Sequence, residues 1–246
     1  MSRYHQKYIS HTIGRTGGTV EEIVMKNFGK ALKLYLKVLF NPLLTLFSAV
    51  IIVGILIAAV HEPEVPESDE YMSMIASTAI GQIGIVVFCL YGTISVTRCK
   101  FYSSLPFAKT LFTVVPTVFT AFMSLIYDLI IIMIAALCWT PQALADILIA
   151  APVGSLMVIL GVSCSGKPKL EWLYIMPFLI LCTMQFVLPN ISATAHGFGL
   201  PVVISAVIGA LIFAAVVAVT LYIMDIWWRK CDHVHRGNYS YTAITR

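Results

Sequence analysis

Long apolar runs cut by short polar stretches set the pattern of this chain. Six runs, at 38–60, 71–96, 110–139, 147–162, 172–188 and 201–228, approach or exceed the roughly 17–25 residues that carry a helix across hydrocarbon. Ahead of them, Val20 to Lys37 has another period. Lys26, Lys30, Lys33 and Lys37 recur at steps of four, three and four, which sets them on one stripe of an α-helix. Val24, Phe28, Ala31 and Tyr35 fall on the opposite side, and Glu21 and Glu22 sit in the first turn, where the helix dipole favours acids. The pattern predicts an amphipathic helix lying in the membrane surface, with its lysines toward water and anionic lipid. The expected fold is all-α: a polytopic membrane protein of six transmembrane helices behind an N-terminal interfacial helix. Three parts follow: a tail and surface helix at 1–37, a membrane domain at 38–228, and a tail at 229–246. The polar lead before the first run predicts no signal peptide.

Composition agrees. Of 246 residues, 59% are hydrophobic and only 11% charged, too little polar surface for a soluble domain. The 16 Lys and Arg are dispersed between apolar runs, which argues against a nucleic-acid partner. Counting six spans, every Lys and Arg falls on one side: the N-terminus, the loops at 98–109 and 163–171, and the C-terminus. The other side holds Glu62, Glu64, Glu67, Asp69 and Glu70, and Asp146 in a short loop expected at 139–146, and no base. The positive-inside rule then puts both termini in the cytoplasm.

Little in the chain resembles catalytic chemistry. Six cysteines have neither paired spacing nor histidine neighbours, so free thiols are expected and no metal site. Gly161 to Pro168 nearly matches the phosphate-binding G-x-x-x-x-G-K-[ST] pattern, but Pro168 replaces the magnesium-binding hydroxyl and an apolar run precedes it. A turn at a membrane edge is expected there, and no nucleotide or cofactor on this chain. Asp128 lies inside the third run. A carboxylate at that depth costs about 2.5–3.5 kcal/mol on insertion scales, so it must face protein or water. A structural hydrogen bond to a neighbouring helix is the favoured reading, and a proton or substrate role the alternative. Asp225 is expected to pair with Arg229 one turn on. The third run is too long for a minimal span and is expected to tilt, to kink at Pro116 or to project. Substrate-path candidates are the apolar and adaptable side chains Phe88 in the second run and Phe178, Met184, Gln185 and Phe186 in the fifth.

The polar connection Arg98 to Lys109, RCKFYSSLPFAK, holds Phe101, Tyr102, Leu105 and Phe107 where a loop should be polar. An exposed cluster of that kind marks an interaction site. The stretch Ser104, Leu105, Pro106, Phe107, Lys109 resembles the "SLP" segment between spans two and three in permease subunits of ABC-2 type transporters, with Ala108 where that family usually has a hydroxyl. The resemblance extends to the six-span layout behind an amphipathic helix. It implies a bacterial cytoplasmic-membrane permease that pairs with a second copy and with two copies of a separate ATPase, which would carry the ATP and Mg. It implies that Arg98, Lys100, Phe101, Tyr102, Ser104, Leu105, Pro106, Phe107 and Lys109 form the ATPase-coupling element. The likeness is greatest to small exporters of amphipathic or antimicrobial peptides, phenol-soluble modulin exporters among them. The alternatives are a non-transport membrane scaffold or assembly subunit, and a secondary transporter that uses Asp128.

Overall fold

The computed structural model describes residues 20–60, 69–167 and 199–230, and every element there is helical. α1, Val20–Leu39, is the expected amphipathic helix. Lys26, Lys30, Lys33 and Lys37 are exposed, while Ala31, Tyr35 and Leu39 are buried and Phe28 is partly buried. The buried face does not simply lie in lipid. The Tyr35 hydroxyl donates to the Cys89 carbonyl at 3.2 Å and shares a 2.9 Å hydrogen bond with the Thr93 hydroxyl. α1 is thereby pinned to the helix that carries Cys89 and Thr93.

The first apolar run does not continue straight from α1. The chain breaks at Phe40 and Asn41 and restarts as α2, Pro42–Ala58. The Asn41 side chain accepts from the amides of Leu43 and Leu44, and Pro42 takes the first turn, where its missing N–H costs nothing. The axes before and after the break differ by 88°. Leu43, Leu46, Phe47, Val50 and Val53 stand exposed on α2. That is the pattern of a helix in an apolar solvent, where no water drives such side chains inward.

α3 spans Asp69–Arg98, and its stretch Gly81–Arg98 is long and apolar enough to cross a membrane. A one-turn helix α4, Lys100–Ser103, follows. The third run opens as a π-helix, Thr110–Val114, and continues as α5, Val115–Cys138. Pro116 explains this opening. It has no N–H for the Phe112 carbonyl and its ring crowds that carbonyl, so the turn before it widens. Threonines bond the carbonyls of the widened turn: Thr113 Oγ1 donates to the Lys109 carbonyl at 2.6 Å and Thr117 Oγ1 to that of Thr113 at 2.9 Å. The expected kink at Pro116 is thus a change of helical winding.

The fourth span starts earlier than its apolar run. Thr140 caps α6, Pro141–Cys164, accepting from the Ala143 amide at 3.3 Å. The expected loop at 139–146 is therefore mostly helix, and Asp146 is buried in α6 rather than exposed on an outer loop. The Trp139 indole donates to the Ala59 carbonyl at 2.9 Å, tying the end of α2 to the α5–α6 corner. α7, Val202–Lys230, completes the described bundle.

Among the described residues, four helices are long and apolar enough to cross a membrane, or five if the bent α1–α2 pair counts as one span. The chain is read on that ground as a membrane protein. The expected fifth span at 172–188 lies outside the described residues, as do both tails beyond 20–230.

α7 packs on α6 through a close approach. Pro152 sits inside α6 and cannot donate to the Leu148 carbonyl. That carbonyl faces Gly209 of α7, where a Cβ would lie only 2.1 Å from it. Any side chain at 209 would force the helices apart. Besides a small apolar cluster of Ala121, Ile159 and Val216 between α5, α6 and α7, two larger cores form. One lies between α2, α3, α5 and α6 around Ile85, Tyr127, Ile131 and Ile147. The other gathers Ala31, Tyr35, Leu39, Ala108, Leu111, Phe112 and Trp227 at the end where the bases stand.

Candidate functional site

The connection between α3 and α5 is built to present one ring and bury the rest. Cys99 is extended and breaks α3, and α4 makes a single turn. The Ser104 hydroxyl donates to the Phe101 carbonyl at 2.8 Å and closes that turn. Pro106 follows on the surface, and the Ala108 amide returns to the Leu105 carbonyl at 3.0 Å. Phe101 is 68% exposed, with the Tyr102 ring edge-on to it at 6.1 Å. Arg98 and Ser104 flank it on the surface. Tyr102, Leu105 and Phe107 are only partly exposed and pack against the basic-end core. The apolar cluster expected in this loop is therefore divided: Phe101 faces outward, and the other three hold the loop to the bundle. Lys100 opens α4.

The loop's far end is fastened to the last helix. Lys109 Nζ stands 2.7 Å from Asp225 Oδ1, and the other oxygen of Asp225 pairs with Arg229. The expected Asp225–Arg229 pair is present, and Lys109 joins it. The Phe112 ring lies 6.2 Å from that of Trp228, so a ring contact accompanies the ion pair. The sequence offered no sign that Lys109 and Asp225 meet, because neither periodicity nor spacing links two helices so far apart in the chain.

Asp128 lies in a second polar cluster, deep in the bundle. Gln82 Nε2 of α3 donates to Asp128 Oδ1 at 2.7 Å. The Ser155 hydroxyl of α6 donates to Asp128 Oδ2 at 2.5 Å, and Gln82 Nε2 also reaches Ser155 Oγ at 3.2 Å. Relative exposures are 3%, 2% and 0% for Gln82, Asp128 and Ser155. Gly81 lets the neighbouring Tyr127 ring approach α3, since a Cβ there would sit 1.9 Å from its hydroxyl. The carboxylate thus makes the interhelical hydrogen bonds that its depth requires. Gln82 and Ser155 were missed as partners. Their signal was one amide and one hydroxyl inside otherwise apolar runs.

The G-x-x-x-x-G-K stretch is a helix end. α6 runs to Cys164, and Gly166 turns the chain with φ of 67°. Lys167 is fully buried, donating to the Ser163 carbonyl with its ammonium 5.7 Å from the centre of the Trp227 ring. Desolvation pushes this lysine down from its ordinary 10.5 to about 8.

Of the substrate-path candidates, Phe88 is partly buried with its ring tilted on Phe119 at 6.5 Å. Phe178, Met184, Gln185 and Phe186 lie outside the described residues. The thiols of Cys89, Cys99, Cys138 and Cys164 are free. No protein-family model matches the chain, and no curated protein or solved structure matches it.

Proposed function

We propose that this chain is the membrane permease half of an ATP-driven exporter of ABC-2 type. In this reading two copies form the pathway in a bacterial cytoplasmic membrane, with both termini inside. Two copies of a separate ATPase subunit bind ATP and Mg and dock on the α3–α5 connection. The cargo is an amphipathic peptide, which suits apolar, adaptable helix faces better than a charged pore.

The observation that carries the reading is the setting of Phe101. A bare aromatic ring stands on a one-turn helix, in a connection otherwise anchored by Tyr102, Leu105, Phe107 and the Lys109–Asp225 pair. A ring held outward on a rigid support is a docking knob, since exposing it has a cost that only a partner offsets. The basic residues of the chain crowd the same side in the six-span count.

The test is affinity purification of the full-length chain from its native host in mild detergent, with mass identification of what co-elutes. An ATPase subunit is expected with the wild type, and at least tenfold less of it with Phe101→Asp. A Leu105→Ala variant is a poor probe, because Leu105 belongs to the chain's own core. Equal recovery with Phe101→Asp would discard the docking role, and no ATPase with either protein would discard the transporter reading.

A further inference from the structure

The three-helix cluster at Asp128 does more than join helices. We propose that Asp128 is a proton-binding site, held closed by Gln82 and Ser155. The argument begins with charge. No Lys or Arg occurs at positions 38–97, 110–166 or 199–228, so those helices bring no counter-charge to the carboxylate. The first base after Ser155 in the chain is Lys167, past the end of α6 at Cys164, and α6 alone puts about 14 Å between Ser155 and that end at the rise of an α-helix. Two neutral donors, an amide and a hydroxyl, would be left to hold a full negative charge out of water, which is expensive without a paired cation.

A proton removes that charge without moving a heavy atom. Placed on Oδ2, it is donated to Ser155 Oγ across the same 2.5 Å, within the range of O–H···O bonds. Ser155 turns its own hydrogen to a carbonyl of the preceding helical turn, as serines in helices do. Gln82 keeps both its bonds, to Oδ1 and to Ser155 Oγ. The bond that forms is Oδ2–H, and none breaks in the protein. The separations of 2.5–3.2 Å leave no room for a metal ion among these three groups. Oxygen ligands stand about 2.0–2.6 Å from such an ion and correspondingly farther from one another.

A second mark is the Gln82 side-chain oxygen. It is buried beside the carboxyl and has no hydrogen-bond partner among the described residues. It is the unfilled acceptor that a proton-carrying water needs on entry. The buried Ser124 hydroxyl, one turn before Asp128 on α5, is likewise without a partner among the described residues, and Thr120 and Thr117 continue the same face toward the basic end. A row of hydroxyls thus leads from the end of the bundle to the carboxyl.

Other titratable groups near this layer are few. Tyr127 is adjacent on α5, Cys89 lies two turns past Gln82 on α3, and Asp146 stands nine residues before Ser155 on α6. On α1, Tyr35 is bonded to Thr93; on α7, Asp225 is paired at the basic end; α2 has no titratable side chain.

The experiment is infrared difference spectroscopy of the full-length protein in lipid, wild type minus Asp128→Asn, in H2O and D2O. A protonated-carboxyl band at neutral pH, shifted by D2O and lost in Asp128→Asn, is expected. In Gln82→Leu the band should persist at a higher frequency, since Oδ1 loses a donor. Carboxylate bands alone at neutral pH would overturn the proposal, as would a band abolished by sodium chloride, which would mean a metal cation. If Asp128→Asn does not fold, wild type against Asp128→Glu supplies the comparison. A carboxyl band that differs between those two supports the site, and identical spectra reject it.

Discussion

Lys167 is a base that the fold has taken out of water. Among the described residues its ammonium meets one carbonyl and one aromatic face, less than a hydrated lysine has. Because burial lowers its proton affinity in the folded state, the unfolded chain binds more protons between about pH 8 and the ordinary 10.5. Stability therefore rises with pH across that window. Lys167→Met is expected to raise the thermal midpoint in detergent at pH 7 and to flatten its rise between pH 8 and pH 10. A mutant midpoint that still climbs with pH would assign the effect elsewhere. The sequence showed a turn here but not a buried lysine. Direction was invisible because it depends on Trp227, an aromatic from another helix, and bases beside a turn ordinarily reach solvent. Asp128 was legible for the opposite reason: a lone carboxylate in an apolar run has to find partners, whichever they are.

Two prolines and a glycine shape the elements. Pro116 rewinds the start of α5, and Pro152 frees the carbonyl that Gly209 receives. Gly209→Ala puts a methyl group 2.1 Å from the Leu148 oxygen, so α6 and α7 must separate. The expected loss is about 1–3 kcal/mol, as for overpacking generally. Unfolding in graded SDS would read it, with Gly54→Ala as the control, since among the described residues no atom of a neighbouring element lies within 4 Å of a Cβ there. An equal or smaller loss at 209 than at 54 would remove the close approach as a stabilising contact. Most helices could be placed from hydrophobic runs alone, because their interiors are long and uniform. The corners were not so readable. Thr140–Pro141 is a helix start written in two residues, and reading 139–146 as a loop overlooked it.

At the scale of the molecule, the lysine stripe of α1 lies opposite a buried face that belongs to the protein. Each lysine near an anionic surface contributes about 1 kcal/mol. Changing Lys26, Lys30, Lys33 and Lys37 together to Gln should leave α1 on α3 but shift spin labels at its exposed Met25 away from anionic bilayers. Identical label depth in anionic and neutral vesicles for the wild type would dismiss the electrostatic role. The stripe was plain in the sequence, since one helix suffices to define it; that Tyr35 is pinned to Thr93 was not, since that needs a second helix. The corner at Asn41 joins these two facts. α1, as 20 residues, is about 30 Å long, and it meets α2 at 88°. Such an L is an outrigger. A rigid tilt of α2 by roughly 10° would swing the free end of α1 by about 5 Å, given that length. With the lysines bound to an anionic surface, that surface would resist the stroke, and the angle of α2 would be set by a lever lying across its axis.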